Sequence, residues 1–460
     1  MNKVNVSMEY KVKVVNAVAD IHQATWDALA RGEGPFLRYD FLNALEQSGC
    51  CNEASGWIPQ HLVIEKAAEA DQSHANDRLP ISDQSLITEQ ALANDQASSN
   101  EELFSGSDES TVDESTVIAI IPGYLKTHSY GEYVFDHSWA NAYHQHGIPY
   151  YPKWVSAIPF TPVTGSRILT REEAPFSGAL LALISQAVQS MGEETVSSCH
   201  WLFTNARTQK LLGTHSELLT RYAVQFQWHN YEYTSFDSFL NALTSRKRRD
   251  MKKTQRKLVE QGIHYRHLCG NEITDEVLDF FLQCYQATYL KRSGHTGYLN
   301  EAFFHQLRDT MANNMLIVTA FKHDCPMASA LFFYDDSGLY GRYWGALEEV
   351  SGLHFACCYF EGIAFAIEKK LPLFNPGTQG EHKILRGFEP IYCQSQHQLF
   401  SAPFHDAVAS FLQQESEHIV AYFNQAQDVL PFNNDITPTL KTTNTTNPLL
   451  AVNNHNEKTI

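Results

Sequence analysis

The sequence predicts an α/β protein assembled from two related domains, each built on a mixed central sheet. Three observations carry this. Apolar runs of strand length alternate with helical-period segments in both halves. The order of strands and helices in the first half is repeated in the second. A short signature also recurs at corresponding places, as Tyr130-Gly131-Glu132-Tyr133 and Tyr340-Gly341-Arg342-Tyr343.

In the first half, His61 to Glu65 and Val117 to Leu125 read as a strand pair, and Tyr130 to Phe135 as the next strand. Helices are expected near His137 to His146 and at Pro175 to Met191, with strands at His200 to Asn205 and Tyr222 to Trp228. In the second half, Leu316 to Phe321, Met327 to Tyr334 and Leu339 to Trp344 read as three strands. They are joined by turn signals at His323–Asp324 and Asp335–Gly338. A long apolar helix, Leu353 to Lys370, a strand at Leu371 to Asn375 and a terminal helix from about Pro403 to Phe423 complete it. The expected limits are 1–230 for the first domain and 231–430 for the second, with a polar tail at 431–460. An insertion at 66–116 holds 12 Asp/Glu against Lys66 and Arg78; its few apolar residues cannot offset chain entropy, so both it and the tail are read as disordered.

Length and composition bound the function. At 460 residues, 43% apolar and 12% aromatic, the chain is long enough for two or three domains with ordinary cores. Its apolar runs fall short of the roughly 20 residues of a spanning helix, and the N-terminal stretch lacks a signal-peptide core, so a cytoplasmic location without a transmembrane segment is expected. Nine cysteines without a CxxC pair indicate neither a disulfide framework nor a zinc finger, and no metal site is expected. The net charge of −18 does not exclude a polyanionic partner, because −10 of it lies within residues 66–116.

Chemistry concentrates in four places. The segment Phe374 to Pro390, FNPGTQGEHKILRGFEP, follows a strand and is expected to be irregular. Gly377 and Gly380 allow positive φ and close approach to a ligand, while Glu381, His382, Lys383 and Arg386 supply proton-transfer and anion-binding groups. The apolar helix places His354 and Glu361 seven residues apart, on one face, with Glu361 a candidate base. On the third strand, alternation puts Tyr340 and Arg342 on one face and Tyr343 on the other. The catalytic candidates are therefore Glu361, His382 and Tyr343; the substrate-binding candidates are Lys383, Arg386, Arg342, Tyr340, Gly377, Gly380, Glu381 and His354. The fourth place is Ser245 to Lys257, SRKRRDMKKTQRK, with eight basic residues in thirteen positions on a helix docked by Leu240, Leu243, Met251 and Leu258. Its Arg246, Lys247, Arg248, Arg249, Lys252 and Lys253 form a candidate polyanion-binding face.

These motifs resemble the FemAB-like, peptidoglycan-biosynthesis family of bacterial proteins with tandem GNAT-like domains. The likeness runs through PFLRYDFLNALEQSGC (Pro35 to Cys50), GWIPQHLV (Gly56 to Val63), SFDSFLNALTSRKRR (Ser235 to Arg249), LYGRYWG (Leu339 to Gly345), LHFACCYFEGI (Leu353 to Ile363) and PGTQGEHKILRGFEP (Pro376 to Pro390). The resemblance implies two GNAT-like domains and an acyl or aminoacyl transferase acting on an amine acceptor, such as a cell-wall precursor. In such relatives a basic helix precedes the catalytic domain and a Lys-containing loop follows the last central strand, as Ser245 to Lys257 and Lys383 do here. No bound cofactor is implied; the donor substrate is acyl-CoA or aminoacyl-tRNA, and the usual acyl-CoA loop is missing between Trp344 and Leu353. The alternative is a non-catalytic binder of tRNA or cell-wall precursor that keeps the scaffold.

Overall fold

The computed structural model describes residues 10–66, 116–191, 195–213, 215–378 and 380–433. The acidic insertion, apart from Lys66 and Thr116 at its ends, and the tail beyond 433 lie outside the described residues.

The first half contributes strands β1 (Tyr10–Val15), β2 (Trp57–Pro59), β3 (His61–Lys66), β4 (Val117–Ile121), β5 (Tyr124–Lys126), β6 (Lys153–Ser156), β7 (Leu169–Thr170), β8 (Ser198–Thr204) and β9 (Leu219–His229). Its helices are α1 (Gln23–Leu29), α2 (Tyr39–Gln47), α3 (His137–Gln145), α4 (Gly178–Gln189) and α5 (Ala206–Leu212). The second half contributes α6 (Phe236–Ala242), α7 (Ser245–Glu260), β10 (Ile263–Cys269), α8 (Asp275–Ser293), α9 (Glu301–Met311), β11 (Met315–Lys322), β12 (Cys325–Asp335) and β13 (Gly338–Ala346). Then come α10 (Leu353–Phe355), a π-turn at Ala356–Phe360, α11 (Glu361–Glu368), β14 (Leu373–Asn375), β15 (Glu389–Leu399) and α12 (Ala402–Asp428).

Among the described residues the strands form a sheet of four, β1-β3-β4-β7, and one of eleven, β10-β11-β12-β13-β14-β9-β15-β8-β6-β5-β2. In the second half, β10 to β13 make an antiparallel meander, and the helical run after β13 crosses over to β14, which lies parallel to β13. The β11–β12 turn is His323–Asp324 as expected, both at positive φ (49° and 65°), the backbone a two-residue hairpin requires. The first half repeats the crossover: β6 and β8 are parallel, with α4 between them in sequence. This is the two-part GNAT-like α/β architecture with mixed sheets.

Two expected strands need correction. Val117 to Leu125 is not one strand: it breaks at Pro122–Gly123, and its two parts join different sheets. Gly123 lies flat against Trp154, leaving no room for a side chain. Tyr130 to Phe135 is not a strand at all, because Gly131 and Tyr133 take positive φ (80° and 59°) and turn the chain. A Cβ at Gly131 would meet Phe160 at 2.7 Å. The Tyr-Gly-x-Tyr signature therefore marks two unlike places, and the repeat resides in the crossovers instead. Strand β15, unforeseen in the sequence, pairs with both β9 and β8 and ties the halves into one sheet.

The halves also share a core. Phe36 and Phe41 of the first half meet Phe333 of β12 edge-on, with ring centroids 5.4 and 5.6 Å apart. A polar network is buried in the first half: Lys153 donates to Glu132 Oε2 at 2.8 Å and to Asp136, while the Tyr150 hydroxyl donates to Asp136 Oδ2 at 2.7 Å. Burial pushes Glu132 up to about 7, whereas the Lys153 ammonium holds Asp136 well below the usual range despite burial. Lys153→Met leaves two buried carboxylates without their cation and is expected to cost about 3–5 kcal/mol in chemical denaturation; a loss under 1 kcal/mol would contradict this account.

Candidate active cleft between the parted strands

Strands β13 and β14 pair only at Leu339↔Phe374 and Tyr340↔Asn375. Beyond that point they separate. On one side the register with β12 shifts between Leu331 and Phe332, so Arg342 is the extra residue of a β-bulge and β13 bends. On the other side Pro376 and Gly377, the latter at φ 88°, turn the chain away from the sheet. The gap between them is a cleft of about 620 Å³. Gly341 to Trp344 form one wall, and Pro376, Gly377, Thr378, Gly380, His382 and Lys383 the other; α8 and the start of the α10 run close the ends. Tyr133 and Pro162 of the first half complete the rim.

The stretch expected to be irregular contains a short 3₁₀ turn, Glu381–Arg386, held between Gly380 (φ 113°) and Gly387 (φ 83°). This turn aims Lys383 into the floor of the cleft. The residue is 2% exposed, and its amine donates to the Gly377 carbonyl at 2.7 Å. Burial brings the ammonium down from 10.5 to about 7; the nearby Cys358 opposes that shift and Arg342 adds to it. His382 also lines the cleft, one ring nitrogen sharing a hydrogen bond with the Tyr359 hydroxyl at 2.8 Å. Burial, then Arg386 and Lys383, lower its pKa. His354 borders the cleft with its ring 6.1 Å from that of His382, and burial drives it down to about 4. Both imidazoles are thus neutral near pH 7.

Arg342 reaches across the junction of the halves, donating from Nη2 to the Phe160 carbonyl at 2.6 Å. Tyr343 borders the cleft, but its ring packs edge-on against Tyr285 at 5.2 Å and burial pushes its hydroxyl up. The cleft therefore gathers Lys383, His382, His354, Arg342, Tyr343, Gly377 and Gly380.

Four expected site residues stand elsewhere. Arg386 lies 3.4 Å over the Phe355 ring and donates to the His382 carbonyl at 2.6 Å, bracing the turn from behind. Glu381 is exposed and accepts from the Tyr422 hydroxyl at 3.3 Å. Tyr340 sits below the parting, its hydroxyl sharing a 2.8 Å bond with Ser337 and its ring edge-on to Phe36. Glu361 pairs with His267 of β10 at 2.9 Å, outside the cleft. The π-turn at Ala356–Phe360 explains Glu361: it closes i→i+5 bonds, so residues after it are rotated off the face that a regular α-helix would share with His354. Reasoning from sequence also missed Thr288, Tyr289, Arg292 and Ser293 of α8, which line the cleft. Helix signals for α8 were present in Thr274, Asp275, Glu276 and Gly294, its cap, first-turn acids and left-handed stop.

The basic face is helix α7. Lys252 pairs with Asp237 at 2.9 Å, Arg248 bonds Asn241 at 3.3 Å, and Arg249 bonds the Ser245 carbonyl at 3.2 Å. Arg246, Lys247 and Lys253 have no carboxylate within ion-pair distance among the described residues. The helix abuts the loop entering α10, since a Cβ at Gly352 would come within 2.7 Å of Thr254. Among the described residues no helix is long and apolar enough to cross a membrane.

Solved structures of similar fold include FemX, with 10% identity, covering 86% of this chain and 100% of that chain at a TM-score of 0.45. L-PGS from Bacillus licheniformis has 10% identity, covering 69% and 87% at a TM-score of 0.40. A tandem GNAT protein from the clavulanic acid biosynthesis pathway has 7% identity, covering 85% and 98% at 0.39. No curated protein matches the chain. A family model described as peptidoglycan biosynthesis/recognition matches residues 17–76 and 90–434, and the chain belongs to that FemAB-like family.

Proposed function

We propose that the protein transfers an aminoacyl or acyl group to an amine acceptor, a cell-wall precursor being the acceptor that the family suggests. The observation that carries this is the buried Lys383 amine at the cleft floor, which sheds its proton near neutral pH. The acceptor amine attacks the donor's ester or thioester carbonyl, forming a C–N bond. Lys383 takes the proton lost by that amine and returns it to the departing oxygen or sulfur as the old bond breaks. Beyond Tyr340 the edge of β13 has no strand partner among the described residues, so its N–H groups face the gap and are placed to receive the oxyanion. Tyr343, whose hydroxyl keeps its proton, serves as a neutral donor beside them. His382 positions the turn through Tyr359 and supplies a second neutral base. Arg342 holds an anionic group of either substrate. The basic α7 favours aminoacyl-tRNA as the donor.

The test is incubation of the full chain with charged tRNA and an amine-bearing peptidoglycan precursor, reading the acceptor's mass. An added aminoacyl residue is expected, and no adduct with either charged tRNA or acyl-CoA would dismiss the transferase. His382→Ala should slow transfer about tenfold while leaving tRNA affinity unchanged; an undiminished rate would remove His382 from the site.

A further inference from the structure

Helix α4, the crossover between β6 and β8, docks through Leu180, Ile184 and Val188. One flank of it stands over a hollow instead. Leu181, Ala182, Ser185, Gln186 and Gln189, at helical spacing and so on one stripe, wall a cavity of about 480 Å³. The segment leading into β9 supplies a second wall through His215, Glu217 and Leu218, and Trp201 of β8 and Gln398 of β15 add the sheet side. None of these residues lines the active cleft.

The polar groups are sorted by kind. Trp201 is 1% exposed, and its indole N–H has no acceptor among the described residues, a deficit that buried donors rarely carry. The Ser185 hydroxyl donates to Gln398 Oε1 at 2.8 Å, which fixes that carboxamide and leaves its Nε2–H groups free to donate. The sheet side therefore offers two donors in search of an acceptor. Around the opening, Gln186, Gln189 and Glu217 are exposed. The backbone of Glu217 and the Ser216 hydroxyl hold its carboxyl below the ordinary range, so it is ionised. Neither lysine nor arginine lines the cavity.

We infer that this cavity is a second binding site, for a neutral sugar that carries an acylamino group. The carbonyl oxygen of that group accepts from the Trp201 and Gln398 donors. The sugar hydroxyls both donate and accept, as do the carboxamides of Gln186 and Gln189, and they can also donate to Glu217. The apolar hydrogens of the ring rest on Leu181, Ala182 and Leu218. Phosphates and carboxylates are poor occupants, because Glu217 repels them and no lysine or arginine offsets it. A wholly apolar ligand leaves the indole N–H unpaired. A peptide amide supplies the carbonyl but too few hydroxyls for the polar opening. The site stands apart from the transferase reading.

The experiment is ligand-observed NMR titration of the full chain with N-acetylglucosamine, glucose and N-acetylalanine methylamide. The wild type is expected to bind N-acetylglucosamine in the millimolar range, at least about tenfold more tightly than the other two. Gln398→Glu keeps the acceptor for Ser185 but replaces the free donor by an acceptor, and should weaken binding at least about tenfold. Gln186→Ala changes only an exposed helix position and should weaken it by about threefold with an unchanged melting midpoint, which keeps the test open if Gln398→Glu misfolds. Lys383→Met should leave the affinity unaltered, because the cleft lies elsewhere. The inference is overturned if the wild type shows no N-acetylglucosamine binding at tens of millimolar, or binds the peptide amide equally well. It is likewise overturned if Lys383→Met abolishes binding, or if Gln398→Glu and Gln186→Ala both bind as the wild type does. Transfer is not measured in this titration, so a failed transfer assay leaves its result standing.

Discussion

Lys383→Met is expected to abolish transfer while making the protein more stable. The methionine fills nearly the same volume in a site where the lysine is 2% exposed, so the cavity is conserved and the buried amine is removed. Loss of a positioned base typically costs about 10²–10⁴ in rate. Lys383→Arg should be equally inactive, since a guanidinium does not deprotonate. The wild-type rate should climb as pH rises through about 7, where Lys383 becomes a free amine, and then level off. The stability effect follows from the same depression. The unfolded lysine titrates near 10.5 and the folded one near 7, so between those values the unfolded state holds the extra proton and wild-type stability rises with pH. Below pH 7 both states are protonated and the full penalty of burying the ammonium applies. The gain on replacing Lys383 should therefore be largest, on the order of a few kcal/mol, under mildly acidic conditions and fade toward pH 10. Thermal melts across that range check it: a variant that melts lower than wild type at pH 6, or one that still transfers at an appreciable rate, removes Lys383 from its assigned role.

Replacing Arg246, Lys247, Lys253 and Lys257 with Ala is expected to weaken tRNA binding by about 10²–10³ at 0.1 M salt. These four have no ion-pair partner among the described residues, whereas Lys252 and Arg256 have one each. Four lost phosphate contacts should reduce the slope of log affinity against log salt by about 3. Alanine favours helix, so α7 should persist, still docked by Met251 and Leu258. Filter binding of tRNA over a salt series gives both quantities. An unaltered slope would leave α7 as a solvated face balancing acidic residues elsewhere.

The meander and its turns were legible because β11 to β13 are apolar, of ordinary length and joined by positive-φ signals. Strand β15 was not. Its sequence, EPIYCQSQHQL, lacks strand alternation because buried positions are polar and satisfied across the sheet. Ser395 accepts from the Phe203 N–H at 3.1 Å, Gln396 accepts from the Thr220 hydroxyl at 3.0 Å, and His397 meets His200 at 2.7 Å. Hydrophobic periodicity cannot detect a strand whose interior is hydrogen-bonded. In the site, the glycines flanking the Lys383 turn disclosed an unusual backbone, but composition could not show which of its four ionisable residues points inward. Arg386 and Glu381 look as functional as Lys383 in the sequence. The displacement of Glu361 depended on a single π-turn, for which Ala356 to Phe360 carry no sequence mark.

The seat of β15 between β8 and β9 also governs how this chain can be made. A ribosome releases Ser198 to His229 long before it reaches Glu389, so two open sheet edges must wait for the strand that will close the seam. At about 5–20 residues per second that wait is roughly 10–30 s. Nascent or prematurely terminated chains ending before Glu389 should consequently be the aggregation-prone species, held by chaperones until synthesis is complete.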